Sequence, residues 1–288
     1  MLTIENLTKY YGKTRGVEKL SFEIEDGEVF GFIGPNGAGK STTIRCIMNT
    51  INRNSGSIRI NGVEATKKNT QLKLDIGYLP GEIHLYDELT VKKMLRYAAD
   101  FYEKDCTKRM HELITKLDLD VKKKIGDLSF GNLKKVGIVL AMMHEPKFLI
   151  FDEASSGLDP LIQEAFFELL QEEKEKGTTI FYSTHILSEV KRICNRVGII
   201  KEGHLIKVET IENLMNQHFL NVTIKSDKSD KIKELFEESI IDESELNTIR
   251  IMYEDDINIL LKKLSKLKVE KVLIEEPSIE EIFMHYYK

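Results

Sequence analysis

Glycines spaced around a lysine and two hydroxyls can hold phosphate, and the sequence carries that combination once, as Gly34-Pro35-Asn36-Gly37-Ala38-Gly39-Lys40-Ser41-Thr42. The three glycines let the backbone curl around an anion, so that successive N–H groups and a helix N-terminus point at phosphate oxygens. Lys40 adds a positive charge for the outer phosphates, and the Ser41 hydroxyl suits a Mg²⁺ ion. Taken alone, the same letters would also serve as a glycine-rich turn into a helix. The apolar run Val29–Ile33 before them and Thr42–Met48 after them supply the strand, loop and helix that a phosphate-binding P-loop requires.

Three further groups belong to the same chemistry. Phe148-Leu149-Ile150-Phe151 runs into Asp152-Glu153, placing two carboxylates at the carboxyl end of a buried strand, the edge where open α/β sheets bind ligands. Asp152 would hold Mg²⁺ directly or through water, and Glu153 would polarise the water that attacks a γ-phosphate. The plainer alternative is an acidic pair opening a loop. A second apolar run, Thr179 to Thr184, ends in His185, either a γ-phosphate contact or water-orienting group, or simply a satisfied polar residue. Tyr10-Tyr11-Gly12 reads as a loop ahead of the P-loop, where the Tyr11 ring either stacks on a nucleobase or packs on its own domain.

These groups need a scaffold. Period-2 alternation marks strands at Leu2–Leu7 and Leu20–Glu25, with a turn at Asp26-Gly27, an antiparallel β layer feeding the P-loop strand. Turn signals flank Ile58–Ile60, and Ile76–Leu79 ends at Pro80-Gly81. From about Thr90 to Lys124 apolar residues recur at three and four, a helical insertion whose Lys122-Lys123-Lys124 run reads as a solvated end. Asp159-Pro160 is an N-cap with proline at the first helical position, and that helix stops at Gly177. Strand, helix, strand at this length imply a right-handed parallel crossover and an α/β core.

The 288 residues allow one large domain and a small one. Lys and Arg total 42 against 47 Asp and Glu, a net charge of −5 with signs interspersed, so no nucleic-acid footprint is expected. No run has the length of a membrane span and no signal pattern opens the chain, which reads as cytoplasmic. Cys46, Cys106 and Cys194 have neither disulfide nor zinc spacing.

In order, these segments resemble the ATPase subunits of ATP-binding cassette (ABC) transporters over roughly the first 215 residues. Gly34 to Thr42 looks like the family's Walker A, and Phe148 to Glu153 its Walker B with catalytic glutamate. Leu128-Ser129-Phe130-Gly131-Asn132 falls where the signature Leu-Ser-Gly-Gly-Gln belongs, Ser156-Gly157-Leu158-Asp159 matches the D-loop, His185 the switch histidine and Tyr11 the base-stacking aromatic. The resemblance implies a P-loop NTPase core over residues 1–218, with an antiparallel β layer and a helical subdomain at about 84–145. Residues 219–288 would form a small α+β accessory domain. It implies ATP and Mg²⁺ as cofactors and a homodimer, or a pair with a homologous ATPase, closing head to tail around two ATP. There Ser129 and the Gly131 N–H of one copy would reach the γ-phosphate held by the other. The further partner implied is an integral membrane permease holding the subunit at the inner face of the membrane, with Gly81 to about Asp105 receiving its coupling elements.

Three departures stand out. Phe130 replaces the first signature glycine, Asn132 replaces the glutamine, and Gly81 stands at the Q-loop glutamine, leaving its role to water, backbone or Glu82. Ala154-Ser155 for the usual Pro-Thr is minor. Gly-Tyr-Leu-Pro-Gly-Glu and the ending from Glu276 are most similar to bacterial ABC-2-type exporter ATPases handling antibiotics, lantibiotics and other peptides. The tail reads strand, helix, strand, helix, strand, helix: Val222–Ile224, Ile232–Phe236, Ile249–Tyr253, Ile257–Leu267, Val272–Ile274 and a helix after Pro277 with a Ser278–Glu281 capping box. The competing readings are a soluble regulatory or translation-associated ABC protein, which usually carries two cassettes, and a catalytically silent sensor.

Overall fold

The computed structural model describes residues 1–216, 220–227, 232, 235–236, 240–242, 248–253, 256–266, 269–276 and 281. The chain divides into two compact units, Met1–Ile211 and Glu212–Lys288.

The first unit runs β1 (Leu2–Tyr11), β2 (Thr14–Ile24), β3 (Val29–Ile33), α1 (Lys40–Ile47), β4 (Ser55–Ile60), β5 (Val63–Glu64) and β6 (Ile76–Leu79). It continues through α2 (Val91–Ala99), α3 (Thr107–Lys116), α4 (Phe130–Met142), β7 (Phe148–Asp152), α5 (Pro160–Glu175), β8 (Thr179–Thr184), α6 (Leu187–Ile193), β9 (Arg196–Lys201) and β10 (His204–Thr210). An antiparallel sheet has the order β2-β1-β4-β5, and a six-stranded sheet the order β10-β9-β3-β8-β7-β6, parallel except for the edge strand β10.

Every residue of β3, β7 and β8 is buried, as suits central strands covered on both faces, which is why their sequences are apolar runs and not alternations. Phe22 from the antiparallel sheet stacks on Phe30 at 5.4 Å and on Phe32 at 5.5 Å between ring centroids, and Leu2, Ile4 and Leu7 bury their side chains in the same core. Truncating such a ring to alanine costs about 3–5 kcal/mol. The order β3-β8-β7-β6 sets four carboxyl ends in a row, so the P-loop, His185, Asp152-Glu153 and Gly81 all emerge on one edge.

One expectation changes here. Tyr10 and Tyr11 are not loop residues: β1 extends through Tyr11, whose backbone pairs with Thr14, because a tight hairpin joins β1 to β2. The helical insertion from about Thr90 to Lys124 is built from two helices, α2 and α3. It breaks after Ala99 and resumes at Thr107, where the Asp105 side chain accepts the Thr107 N–H at 2.9 Å, and Lys122, Lys123 and Lys124 are exposed.

After α7 (Ile211–Asn216), the second unit has β11 (Leu220–Lys225), β12 (Ile240–Asp242), β13 (Thr248–Tyr253), α8 (Ile257–Leu264) and β14 (Lys271–Glu275), with an antiparallel sheet ordered β12-β13-β11-β14. Val222, Ile224, Ile249 and Ile251 pack with Leu260 and Leu264 of α8, and Ile232 and Phe236 join that core. Helix α8 ends three residues before the predicted Leu267, which lies outside the described residues, as does the helix after Pro277 with Ser278 of its capping box.

Candidate functional site

The P-loop leaves β3 and enters α1 at Lys40. Gly39 sits at φ 108°, and a Cβ there would lie 2.6 Å from Val17 Cγ1 and 2.7 Å from the Gly16 carbonyl, so only glycine fits. Lys40 is buried: its Nζ donates to the Gly34 carbonyl at 2.7 Å and the Pro35 carbonyl at 3.2 Å, which draws the charge into the loop. Beside it, a Cβ on Gly16 would stand 3.0 Å from both Tyr11 Cε2 and Thr42 Cγ2, so the Tyr11 ring borders the first turn of α1. That ring is 45% exposed, and the Lys9 ammonium lies 5.1 Å from its centroid.

Glu153 is the strained residue of the site. It adopts φ +50°, the left-handed region that side chains other than glycine and asparagine rarely visit. Its Oε1 lies 3.4 Å from Lys40 Nζ and 3.3 Å from His185 Nδ1, so one carboxylate spans the P-loop lysine and the strand-end histidine. Asp152 is buried one residue earlier. It accepts the Ser183 hydroxyl at 3.2 Å and also a hydrogen bond from Ser41, and burial still pushes its carboxyl above the ordinary value.

These groups line a polar cleft of about 520 Å³ that includes Ser41, Arg45, Gly81, Asp152, Glu153 and Ser156. A Cβ added to Gly81 would stand 3.6 Å from Asp152 Oδ2, an ordinary contact, so the missing side chain is not enforced by crowding. Glu82 lies on the same cleft but is exposed, 4.0 Å from the equally exposed His84. Ser129 to Asn132 are not among the residues lining that cleft. Ser129 caps α4, accepting from the Asn132 N–H at 3.4 Å and from Asn132 Nδ2 at 3.0 Å, while Phe130 is half exposed. The helix start packs on Ser156-Gly157-Leu158-Asp159: a Cβ on Gly157, at φ 79°, would meet the Phe130 ring at 2.4 Å. A Cβ on Gly131 would meet the Gly157 carbonyl at 2.6 Å, and Asp159 accepts the Ile162 N–H to cap α5.

One side chain here escaped the sequence reading. Lys134, one turn into α4, is only 1% exposed, and its ammonium donates to the Glu153 carbonyl at 3.0 Å and lies 5.6 Å from the Phe130 centroid. Burial lowers its pKa against the opposing pull of Asp152 and Glu153. The available signal was a lysine on the helix face that also carries Gly137, which packs against Leu79 and Ile83.

The donor set fits ATP with Mg²⁺. A backbone cradle with a buried lysine suits the phosphates, and Ser41 bonded to Asp152 presents a hydroxyl and a carboxylate side by side, the hard oxygens Mg²⁺ prefers.

Comparison with known proteins agrees. Residues 17–156 match the family model described as ABC transporter. The chain is 37% identical over 222 residues to the linearmycin resistance ATP-binding protein LnrL of Bacillus subtilis (strain 168), covering 75% of this chain and 71% of LnrL. It is 32% identical over 294 residues to the bacitracin transport ATP-binding protein BcrA of Bacillus licheniformis, covering 97% and 94%. A solved structure of an ATP-binding subunit of an ABC transporter superposes with a TM-score of 0.70 at 33% identity, covering 75% of this chain and 92% of that one. The chain therefore belongs to the ABC transporter family, as an ATP-hydrolysing subunit that uses ATP with Mg²⁺, dimerises and pairs with a membrane permease.

Proposed function

We propose that this subunit works at the cytoplasmic face of the membrane and powers export of a peptide, antibiotic or other amphipathic compound through a separately encoded permease. The observation that carries this reading is the similarity to BcrA along 97% of the chain, which takes in the second unit as well as the ATPase. No helix among the described residues is long and apolar enough to cross a membrane, consistent with a translocation path built by another chain.

In this reading the P-loop N–H groups and Lys40 hold the phosphates, and the Tyr11 ring, exposed beside Thr42, takes the nucleobase. Ser41 and Asp152 would hold the Mg²⁺, which neutralises phosphate charge. Glu153 accepts a proton from the attacking water, and His185, 3.3 Å away, fixes the carboxylate. Ser129 and the Gly131 N–H, at a helix start that does not line the cleft of its own chain, serve the ATP of the second copy. The exposed aromatics Tyr86, Tyr97 and Phe101, ring on ring at 5.9 and 5.2 Å, lie within the segment assigned to the permease.

The test is transport by the chain reconstituted with the permease encoded beside it. Inside-out vesicles should accumulate the compound only with hydrolysable ATP. ATP-driven accumulation in right-side-out vesicles instead would overturn the direction assigned.

A further inference from the structure

We propose that Lys134 is a positioning residue for hydrolysis: its ammonium holds the Glu153 backbone in the left-handed conformation that aims the carboxylate at the attacking water. The inference rests on the reading of Glu153 as the group that polarises that water.

Three observations converge on this side chain. First, Glu153 sits at φ +50° without being glycine, a conformation that persists only where surrounding contacts impose it. The Glu153 N–H is tied to the Ser183 carbonyl at 3.0 Å, and on its other side the Glu153 carbonyl accepts from Lys134 Nζ at 3.0 Å. The residue is thus clamped at both backbone groups, leaving the side chain to span Lys40 and His185. Second, Lys134 is buried to 1% exposure, yet among the described residues the acceptor of its hydrogen bond is a neutral carbonyl, that of Glu153. An ammonium has three donors, and burying one without a hydrogen-bonded carboxylate partner carries a desolvation cost that a single carbonyl does not fully offset. The Phe130 face at 5.6 Å supplies part of the compensation as a cation–π contact. Third, Lys134 lines the same cleft as Gly81 and Asp152. A glycine at 81 contributes no side-chain donor there, whereas Lys134 brings an ammonium from α4.

The arrangement also links two sites. Phe130 lies at the helix start offered to the second copy, rests on Gly157 and covers the ammonium that grips Glu153. Displacement of α4 by the partner's nucleotide would be felt at the Glu153 carbonyl.

The experiment compares ATP turnover by the full-length chain with its permease for Lys134→Met, Lys134→Arg and Glu153→Gln. Lys134→Met should lower kcat about 10–100-fold, the worth of a hydrogen bond from a charged donor, with KM for ATP within about twofold of wild type. Lys134→Arg, which keeps a charged donor, should recover most of the loss. Should Lys134→Met fail to fold, Lys134→Gln keeps a neutral amide donor without the charge, and its kcat should lie between those of wild type and Glu153→Gln at unchanged KM. Wild-type kcat in Lys134→Met or Lys134→Gln, a change confined to KM, or a loss that arginine does not relieve would overturn the proposal. Wild-type turnover in Glu153→Gln would instead remove the reading beneath it.

Discussion

At the scale of single residues, the site is organised by where one carboxylate is held. Glu153 occupies a backbone conformation that costs about 1–3 kcal/mol for a residue with a Cβ, and its side chain is 28% exposed while neighbouring Asp152 is nearly enclosed. The two acids differ accordingly. Asp152, tied to Ser41 and Ser183, is placed for a cation, whereas Glu153 faces the cleft between a lysine and a histidine. Removing its basicity while keeping its shape should therefore leave nucleotide binding alone and remove the chemistry. Glu153→Gln is expected to lower turnover about 10²–10⁴-fold with the Kd for ATP nearly unchanged, read by phosphate release beside equilibrium binding of a fluorescent ATP analogue. A variant that binds and hydrolyses normally would show that another group activates the water.

At the scale of elements, α4 is fastened at both ends, and its far end carries a pH signature. Its first turn packs on Gly157 and Glu153. Just beyond its last turn, His144 is buried and stacks on Tyr102 with ring centroids 4.1 Å apart. Burial holds this imidazole down to about 4 from an ordinary 6.5, against the help of the Ile76 backbone and the Asp75 charge, with Lys104 adding slightly to the depression. Between those values the unfolded chain binds a proton that the folded chain refuses, so stability rises with pH there and is lost as pH falls from about 6.5 toward 4. His144→Phe keeps the stack and removes the titration. The Tm of wild type relative to this variant should fall as pH is lowered through that window, and a pH-independent difference would mean the ring is charged in the fold. The elements also show how far the sequence could be read. Apolar runs ending in Asp152 and His185 and the Asp159-Pro160 cap were legible because each signal is local. The exact break between α2 and α3 was less so: apolar residues recur at helical spacing on both sides of it, and the Asp105 side chain that bonds the Thr107 N–H is a single short-range cue. Lys134 was hidden for a different reason: a lysine in a helix reads as solvated, and its burial goes with a bond to the Glu153 carbonyl, nineteen residues further along the chain.

At the scale of the whole molecule, the decisive point is that the signature and the P-loop of one chain do not share a cleft. Phe130 and Gly131 pack on Gly157, while Ser41, Asp152 and Glu153, the last 3.4 Å from Lys40, line a cleft that Ser129 to Asn132 do not. If the first group completes the site of a second copy, two dead chains can repair each other. Lys40→Ala destroys phosphate binding in its own P-loop, and Ser129→Arg blocks the site it lends to its partner with a bulky cation. Each homodimer then lacks two working sites. In a mixed dimer one site combines both lesions and the other joins the sound P-loop of the Ser129→Arg chain to the sound signature of the Lys40→Ala chain. Random mixing makes about half the dimers mixed, so turnover should return to about a quarter of the wild-type rate if one intact site suffices, and to zero if the two sites fire only together. Those outcomes are separated by the permease-bound state: a requirement for two intact sites would still allow ATP to be trapped in the single repaired one, measurable with labelled nucleotide after gel filtration. Trapping in neither the mixture nor its permease complex would show that each chain builds its site alone, and Ser129 and Gly131 would then need another role.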